Sequence, residues 1–350
     1  MSECPFFIYL MQISFLIANL GIRGSVRRVV SLSNKLIERG HTVTIYHSDG
    51  SPCDWLHCLA VTRPLEAITA DRHDLVIYFG TREHAELVRQ TDTRLRAYYV
   101  LGINERQEAE ITSLMLSGKP VVDDDRTLVL REAIQDREHL ILANCSALAN
   151  WLKQFRPDIY PVYGGVDFDI FQPNSTGKVA FRIVAGGAKR EIEGTEIIKR
   201  SVETAQQKEP HIELKLYAGM GYSQAKLAEL YSSADVYLDA QHHGGWNNPV
   251  AEAMACKTAV ICTDIWGNHD FAHHLKTAYI TDDNPEALAA GLLEVLKDGE
   301  LRRRMVVGAY EMIRPFTWDR ATDQLEAAIP SGMRTPTGIL REKALINERL

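Results

Sequence analysis

The sequence predicts an α/β protein built from two doubly wound parallel sheets. Apolar strand-like runs alternate with amphipathic helices along most of the chain, and the first strand is joined to the first helix by a glycine turn. The alternation resumes after the polar linker Asn174–Lys178. A chain of 350 residues, 45% hydrophobic and 24% charged, is long enough for two such domains with a core each.

The first unit begins with the buried strand Gln12–Ala18 and a turn that contains Gly21 and Gly24. A helix is predicted at Ser25–Arg39, with Ser25 as its N-cap and apolar residues at helical spacing on one face. Gly40 ends the helix, and the apolar run after it is the second strand. A strand, glycine turn, helix and strand in this order are typical of a βαβ unit in a parallel sheet.

The alternation of strands and helices continues to the end of the described pattern at Ile329. In the first half, further strands are predicted at Leu75–Phe79, Arg96–Val100, Leu140–Ala143 and Ile159–Val162, and helices at Glu105–Met115 and Ser146–Phe155. In the second half, strands are predicted at Val179–Ala185, Glu213–Tyr217, Val236–Asp239, Ala259–Cys262 and Ala278–Ile280. Helices are predicted there at Thr195–Gln206, Gln224–Tyr231, Val250–Cys256, Asn284–Asp298, Glu300–Ile313 and Phe316–Ile329.

The stretch His242–Asp264, HHGGWNNPVAEAMACKTAVICTD, combines a glycine turn, a short helix and a buried strand. Gly244 and Gly245 allow a backbone to approach a ligand closely, and Asn248 is the expected N-cap of the helix. The unpaired N–H groups of that helix end form an anion site. The alternative is an ordinary loop, helix and strand in which Glu252 only complements the helix dipole.

Within this stretch, NPVAEAMAC at Asn248–Cys256 resembles the donor-binding signature of glycosyltransferase family 4, EGFGxPxxEAMAcGxPVV. The segment RGHTVT at Arg39–Thr44 and the segment YGGVDFDIFQP at Tyr163–Pro173 resemble two other elements of that family. The segment FTW at Phe316–Trp318 resembles the start of its final helix. The resemblance extends from Met11 to about Ile329.

The resemblance implies the GT-B architecture, in which two Rossmann-like domains face each other across a cleft. Residues 1–165 would form the acceptor-side domain and residues 166–314 the nucleotide-sugar-binding domain. Residues 315–350 would supply a helix that crosses back to the first domain and a polar tail. The implied enzyme is a transferase that moves a sugar from a UDP-sugar or GDP-sugar to an acceptor hydroxyl with retention, and that needs no metal and no cofactor.

The resemblance also implies site residues. Glu252 would hydrogen-bond the ribose hydroxyls of the donor, and the backbone of Gly245, Trp246 and Asn247 would approach the donor sugar and its β-phosphate. Trp246 could instead only fill the cleft wall. The complete set of implied donor-binding residues is Gly21, Gly24, Gly187, Gly244, Gly245, Trp246, Asn247, Asn248 and Glu252.

Two departures from the family pattern bear on activity. The first glutamate of the E-x7-E motif falls on Gly244, and the arginine and lysine of the phosphate loop GRxxxxKG fall on Ala188 and Glu193. The candidates that could restore positive charge, and therefore the candidate catalytic residues, are Lys189, Arg190 and His243. Lys189 and Arg190 could equally be solvated loop cations. The alternative function is a weak or silent relative that binds a nucleotide as an accessory subunit.

Two other motifs could indicate a metal-binding site. His269 and His273 are spaced by one helical turn, but no third ligand accompanies them, so a surface or domain-interface helix is the preferred interpretation. Asp123–Asp125 is similar to the DxD metal motif of the other main glycosyltransferase fold, and an exposed turn is the simpler interpretation. No metal site is therefore expected.

Composition limits the remaining classes. A net charge of −7 argues against a general nucleic-acid binder, and six scattered cysteines without a C-x-x-C pair favour a reducing, cytoplasmic compartment. The uncharged run Pro5–Ile22 could span a membrane, although its polar residues favour a buried first strand. Peripheral contact with a membrane stays open. The acceptor also stays open among glycan, lipid, metabolite and modified base.

Overall fold

The computed structural model describes residues 10–117, 125–174, 177–186 and 194–330. Within these residues the chain forms two parallel sheets, one of seven strands and one of five, each with helices on both faces. The α/β prediction of two doubly wound domains is confirmed.

The first domain contains the seven-stranded sheet. Its strands are β1 Gln12–Leu16, β2 Thr42–His47, β3 Val61–Pro64, β4 Arg72–Tyr78, β5 Asp92–Val100, β6 His139–Ala143 and β7 Ile159–Pro161. Its helices are α1 Gly24–Glu38, α2 Arg82–Gln90, α3 Glu105–Ser117, α4 Asp125–Gln135 and α5 Ser146–Leu152. The strand order β3-β2-β1-β4-β5-β6-β7 places the reversal of the winding between β1 and β4. In open α/β sheets, ligands bind outside the carboxyl ends of the strands at such a reversal.

The second domain repeats this design on a smaller sheet. Its strands are β8 Arg182–Ala185, β9 Glu213–Leu216, β10 Val236–Leu238, β11 Ala259–Thr263 and β12 Tyr279–Thr281. Its helices are α6 Thr195–Gln206, α7 Gln224–Ser233, α8 Asn248–Ala255, α9 Pro285–Lys297 and α10 Gly299–Ile313. The order β12-β11-β10-β8-β9 puts the reversal between β8 and β10. Helix α8 follows β10, so its N-terminus lies at the carboxyl edge of this sheet.

The last described helix, α11 Trp318–Ala328, returns to the first domain and packs on α1. Its buried face, Trp318, Ala321, Leu325 and Ala328, belongs to the same apolar core as β1 and α1. Arg39 at the end of α1 holds it with a 2.6 Å bond to Glu326. The crossing-back helix that the resemblance implied is therefore present.

Several local predictions need correction. Helix α1 begins at Gly24, one residue before the predicted N-cap Ser25, and helix α8 begins at Asn248 with Asn247 as its N-cap. The sequence reading missed β3, α2 and α4. Around His269 and His273 the chain forms a short 3₁₀ turn and an irregular loop, so the predicted surface helix is wrong.

Some predicted features lie outside the described residues. These are Gly187, Lys189 and Arg190 of the phosphate loop, Asp123 of the DxD-like run, and the start of the uncharged run before Leu10. Of that run, Gln12–Leu16 is a strand of the first sheet. In the described parts of the chain, no helix has both the length and the apolar character that a membrane crossing needs.

Candidate functional site

A cavity of about 1000 Å³ lies between the carboxyl edges of the two sheets. The first domain lines it with residues that lie one or two positions after the ends of β1, β4, β5 and β6, among them Ala18, Gly80, Leu101 and Asn144. The second domain lines it with Gly219 and with the loop that leads into α8. The reversal of the first sheet and the carboxyl ends of β9 and β10 in the second sheet therefore open into one space.

Two helix N-termini meet at this cavity. Gly24 is the first residue of α1 and Asn248 is the first residue of α8, and both line the cavity. A Cβ on Gly24 would lie 3.1 Å from Nδ2 of Asn248, so the two helix ends approach as closely as side chains permit. Neither helix has an acidic residue in its first turn. The unpaired N–H groups and the positive dipole ends of both helices thus favour an anion.

Glycine makes the close approach of the two domains possible. A Cβ on Gly245 would overlap the carbonyl oxygen of Leu101 and the side chain of Asn144, which belong to the first domain. A Cβ on Gly102 would lie 2.7 Å from the backbone nitrogen of Gly245. The predicted approach of this backbone to a donor stays a prediction, and in this structure Gly245 lies against the first domain.

Glu252 lies one turn into α8, is 4% exposed and does not line the cavity. Its Oε1 accepts a hydrogen bond from Nη1 of Arg27, which lies one turn into α1 of the other domain. The Tyr231 hydroxyl also bonds this carboxyl group, and it lies 2.7 Å from the hydroxyl of Tyr217. Burial raises the pKa of Glu252, and Arg27 and Tyr231 offset only part of that rise. The carboxylate that was expected to face a ribose is paired across the domain boundary.

Trp246 forms part of the wall of the site, and Asn247 lies outside the lining. The Trp246 ring is buried, with its centroid 4.8 Å from that of Phe271 and 5.0 Å from that of Phe316. Asn247 caps α8 through Oδ1 and donates through Nδ2 to Asp239 at 3.1 Å. Of the two interpretations of Trp246, the structure favours the cleft wall.

The charged side chains that line the cavity are all positive. Arg23, Arg28 and Arg126 line it, and none of the described lining residues is Asp or Glu. Arg28 is buried and already bonded, with Nη1 2.6 Å from the Tyr99 hydroxyl and 2.9 Å from the Tyr163 carbonyl. Arg23 and Arg126 are exposed and form no ion pair within the described residues. The cavity is therefore positive although the chain carries a net charge of −7.

Three histidines lie near the cavity and differ in role. Burial and the neighbouring His242 lower the pKa of His243, so its ring is neutral at pH 7 and offers hydrogen bonds rather than charge. His242 bonds Asp283 at 2.7 Å and does not line the cavity. His84 lies in the wall, and its Nδ1 donates to the Phe79 carbonyl at 2.9 Å. Burial lowers the pKa of His84, so Nε2 is the free acceptor nitrogen.

The sequence-predicted site residues fall into three groups. The cavity is lined by Gly24, His243, Gly244, Gly245, Trp246 and Asn248. Gly21, Asn247 and Glu252 lie outside its lining, and Gly187, Lys189 and Arg190 lie outside the described residues. The predictions missed His84, Arg126 and Asn144. Asn144 directly follows β6, and that position at the carboxyl edge of the sheet could have identified it.

Metal ligation has no support within the described ranges. No group of three or more His, Cys, Asp or Glu side chains there is arranged to hold a metal ion. His269, one member of the suspected pair, bonds Asp264 at 2.7 Å. The nearby His274, which is not part of that pair, accepts a hydrogen bond from the backbone N–H of Ile280 through Nδ1.

The chain is similar to known proteins in sequence and in fold. The family model described as "Glycosyl transferases group 1" matches residues 183–312. A D-inositol 3-phosphate glycosyltransferase from Thermomonospora curvata is 31% identical over 103 residues. This match covers 29% of the present chain and 24% of that relative, so it spans about a quarter of the relative's length.

Two solved structures match almost end to end. Sucrose-phosphate synthase from Thermosynechococcus elongatus superposes with a TM-score of 0.67 at 14% identity, over 90% of this chain and 97% of that one. Anabaena HepE in complex with UDP and glucose superposes with a TM-score of 0.67 at 14% identity, over 91% of this chain and 98% of that one. The expected GT-B fold is confirmed, and the resemblance to glycosyltransferases is borne out over residues 183–312, which match the group 1 family.

Proposed function

We propose that this protein transfers a sugar from a nucleoside-diphosphate sugar to an acceptor hydroxyl, with retention at the anomeric carbon. The observation that carries the proposal is the meeting of two acid-free helix N-termini, at Gly24 and Asn248, in a positive cavity between two Rossmann-like domains. A diphosphate fits this arrangement because it is compact and doubly charged and accepts hydrogen bonds from backbone N–H groups. The group 1 match over residues 183–312 supports the same donor class.

The proposed reaction needs stabilisation of a leaving diphosphate. As the bond between the anomeric carbon and the β-phosphate oxygen breaks, negative charge grows on that oxygen, and the helix ends with Arg23 beside them are positioned to stabilise it. The acceptor oxygen bonds to the same face of the sugar, and its proton passes to the departing phosphate. His243 adds a neutral hydrogen-bonding group at the edge of this site.

Glu252 has a conditional part in this proposal. Its carboxylate can accept the ribose hydroxyls only after the bond from Arg27 opens, because the group is buried and has partners on both sides. Donor binding would then include a small separation of α1 and α8. Domain rearrangement on binding is common among proteins whose sites lie between two domains.

The donor test uses the full chain and a panel of UDP-, GDP- and ADP-sugars. We expect one nucleotide series to raise the melting temperature, and the matching sugar nucleotide to be hydrolysed or used for transfer. NMR of the product would report the anomeric configuration, since retention gives the donor's own configuration. No stabilisation by any nucleotide would contradict the donor site, and an inverted product would contradict retention alone.

A second function is favoured by one specific contact. The pairing of Glu252 with Arg27, together with Gly244 at the position of the first motif glutamate, fits a relative that binds a nucleotide without turnover, as an accessory subunit. Stabilisation by UDP or GDP without hydrolysis or transfer on any acceptor would support this alternative. Turnover that disappears in Glu252→Ala would contradict it.

We further propose a reducing compartment such as the cytoplasm as the place of work. Among the described residues, Cys53 and Cys58 lie on neighbouring parts of one loop and are both free thiols. A secreted domain usually oxidises such cysteines. The free thiols of this protein are counted in native cell extracts without added reductant. Quantitative disulfide formation there would contradict the proposal.

A further inference from the structure

The first-domain wall of the cavity contains a cation that the proposed donor chemistry does not use. Arg126 is the second residue of α4, and its side chain runs beside Gly80, with Cγ, Cδ and Nε each 3.9 Å from the position of a Cβ on that glycine. Helix α4 packs on α2 and β6, which are both elements of the first domain. Arg126 therefore belongs to the acceptor side of the proposed reaction.

Hydrogen-bonding groups lie beside Arg126, and none of the described residues that line the cavity is Asp or Glu; the preceding residue, Asp125, is outside the lining. Thr81 and His84 of the α2 N-terminus line the same wall, and His84 presents a neutral Nε2. Among the described residues, Arg126 is exposed and has no ion-pair partner. Arg28, by contrast, already donates hydrogen bonds to the Tyr99 hydroxyl and the Tyr163 carbonyl. A guanidinium in this state has a free planar fork that matches a phosphate or carboxylate group.

The two exposed arginines of the cavity lie on different elements. Arg23 stands beside the paired helix ends at Gly24, where the donor diphosphate is proposed, and Arg126 stands on a different element beside Gly80. A cavity of about 1000 Å³ is at the upper end of the range for a single small ligand, so it has room for a small acceptor next to a donor. In a chain with 46 acidic residues, a lining with arginines and without described carboxylates favours anionic ligands.

We propose that the acceptor is a small hydroxyl compound that carries an anionic group, and that Arg126 binds this group. The preferred anionic group is a phosphate monoester. The proposal rests on the glycosyltransferase function proposed above. Arg126 would fix the acceptor by its charge, and the hydroxyl to be glycosylated would point toward the donor. Arg126 is thus assigned as an acceptor-binding residue that determines specificity.

The test compares neutral and charged hydroxyl compounds of otherwise similar structure. The full chain is titrated calorimetrically with glucose, glucose 6-phosphate and glucuronate, once with saturating UDP and once without it. We expect a charged compound to bind at least about tenfold more tightly than glucose in the presence of UDP, since charge-assisted hydrogen bonds have this strength. The phosphate and carboxylate compounds show which anionic group the site prefers.

Matched variants locate the effect. Arg126→Gln should remove the preference for the charged compound, Arg126→Lys should keep part of it, and Arg72→Gln, a change on an exposed arginine outside the cavity, should leave it intact. Arg23→Gln should weaken UDP and spare the charged acceptor. Thermal melts of each variant confirm that the chain is folded.

Two results would overturn the proposal. One is equal binding of charged and neutral compounds by the unaltered protein, and the other is a preference that persists in Arg126→Gln. Failure of the donor proposal has a different signature, because UDP would then not bind at all. In that case the titration without UDP still decides whether an Arg126-dependent anion site exists.

Discussion

Arg27 of the first domain and Glu252 of the second domain form a buried ion pair between helices α1 and α8. The geometry follows from two helices that start at the same point. Gly24 faces Asn248, and one turn further along each helix Arg27 faces Glu252. The pair therefore links the two domains directly behind the proposed diphosphate position. Any opening of the cleft at this point has to break it.

The first prediction concerns the stability that this pair provides. Arg27→Gln leaves a buried carboxylate without its cation, and Glu252→Gln leaves a buried guanidinium without its anion, so each should cost about 3 kcal/mol of unfolding free energy. The double variant that combines Arg27→Gln and Glu252→Gln should cost clearly less than the sum, because no buried charge is then left unpaired. Urea denaturation of the four proteins measures the cycle. Additive losses would mean that the two side chains act independently.

The second prediction uses the same two residues to test donor binding. If Glu252 accepts the ribose hydroxyls, Arg27 competes with the nucleotide, so Arg27→Gln should tighten UDP binding and Glu252→Gln should weaken it by about tenfold. Isothermal titration with UDP measures both. Weaker binding in both variants would instead indicate that the guanidinium itself contacts the nucleotide. Unchanged binding in both would remove the pair from the donor site.

The sequence was sufficient for the sheet strands that are strongly apolar and for the helices with a clear apolar face. Thr195–Gln206 was predicted with its observed bounds. Strand β3, by contrast, is an exposed edge strand of four residues, VTRP, and has no apolar signal of its own. Helices α2 and α4 do have buried apolar residues at helical spacing, Ala85 and Val88 in α2 and Val129, Leu130, Ala133 and Ile134 in α4, so the sequence contained a helical signal there that the predictions missed.

The site was predicted only as far as local sequence determines it. The glycines next to α8 and the helix start at Asn248 are local features, and the structure places them on the cavity. The partner of Glu252 is a distant residue, since Arg27 lies 225 positions away in the sequence. Only the packing of the two domains brings these side chains together. The periodicity of apolar residues within one helix predicts which face is buried, but not which distant residue that face contacts. The same reason explains why Arg126 was missed.

The third prediction concerns the glycine contact between the domains. Gly245→Ala should force the loop before α8 away from Leu101 and Asn144, because the new Cβ would overlap backbone and side-chain atoms that have no room to move. We expect a loss of roughly 2 kcal/mol in unfolding free energy and a weaker response to UDP, as for other overpacked sites. Gly299→Ala is the matched control, since a Cβ at Gly299 meets nothing within 4 Å. Equal behaviour of the two variants would contradict the tight domain contact.

The fourth prediction concerns His84 as a contact of the acceptor. His84→Phe keeps a ring in the wall but removes Nε2, so kcat/KM for the acceptor should fall about tenfold while UDP affinity stays constant. Because burial lowers the pKa of His84, Nε2 stays unprotonated down to the ordinary histidine value of about 6.5 and somewhat below it, so acidification should reduce activity only at lower pH. The pH profile of the variant should lack this decline. A fall in UDP affinity would instead assign His84 to the donor.

The fifth prediction concerns the helix that returns to the first domain. The pKa of Glu326 on α11 is lowered: burial acts to raise it, but the bonds from His41 and Arg39 outweigh that effect. The Met11 amide donates to Nδ1 of His41, so Nε2–H donates to Glu326 at 3.0 Å.

The sign of the pH dependence follows from that lowered pKa. The folded protein binds fewer protons at Glu326 than the unfolded chain, so this contribution to stability is present above the ordinary carboxyl value of about 4.3 and is lost as the pH falls through the lowered value. Urea melts between pH 3 and 7 should therefore show a shallower acid decline in Glu326→Gln than in the unaltered protein. Glu300→Gln, on the exposed surface of α10, is the control that should keep the original slope. If the acid decline is the same in all three proteins, the anchoring of α11 does not depend on the charge of Glu326.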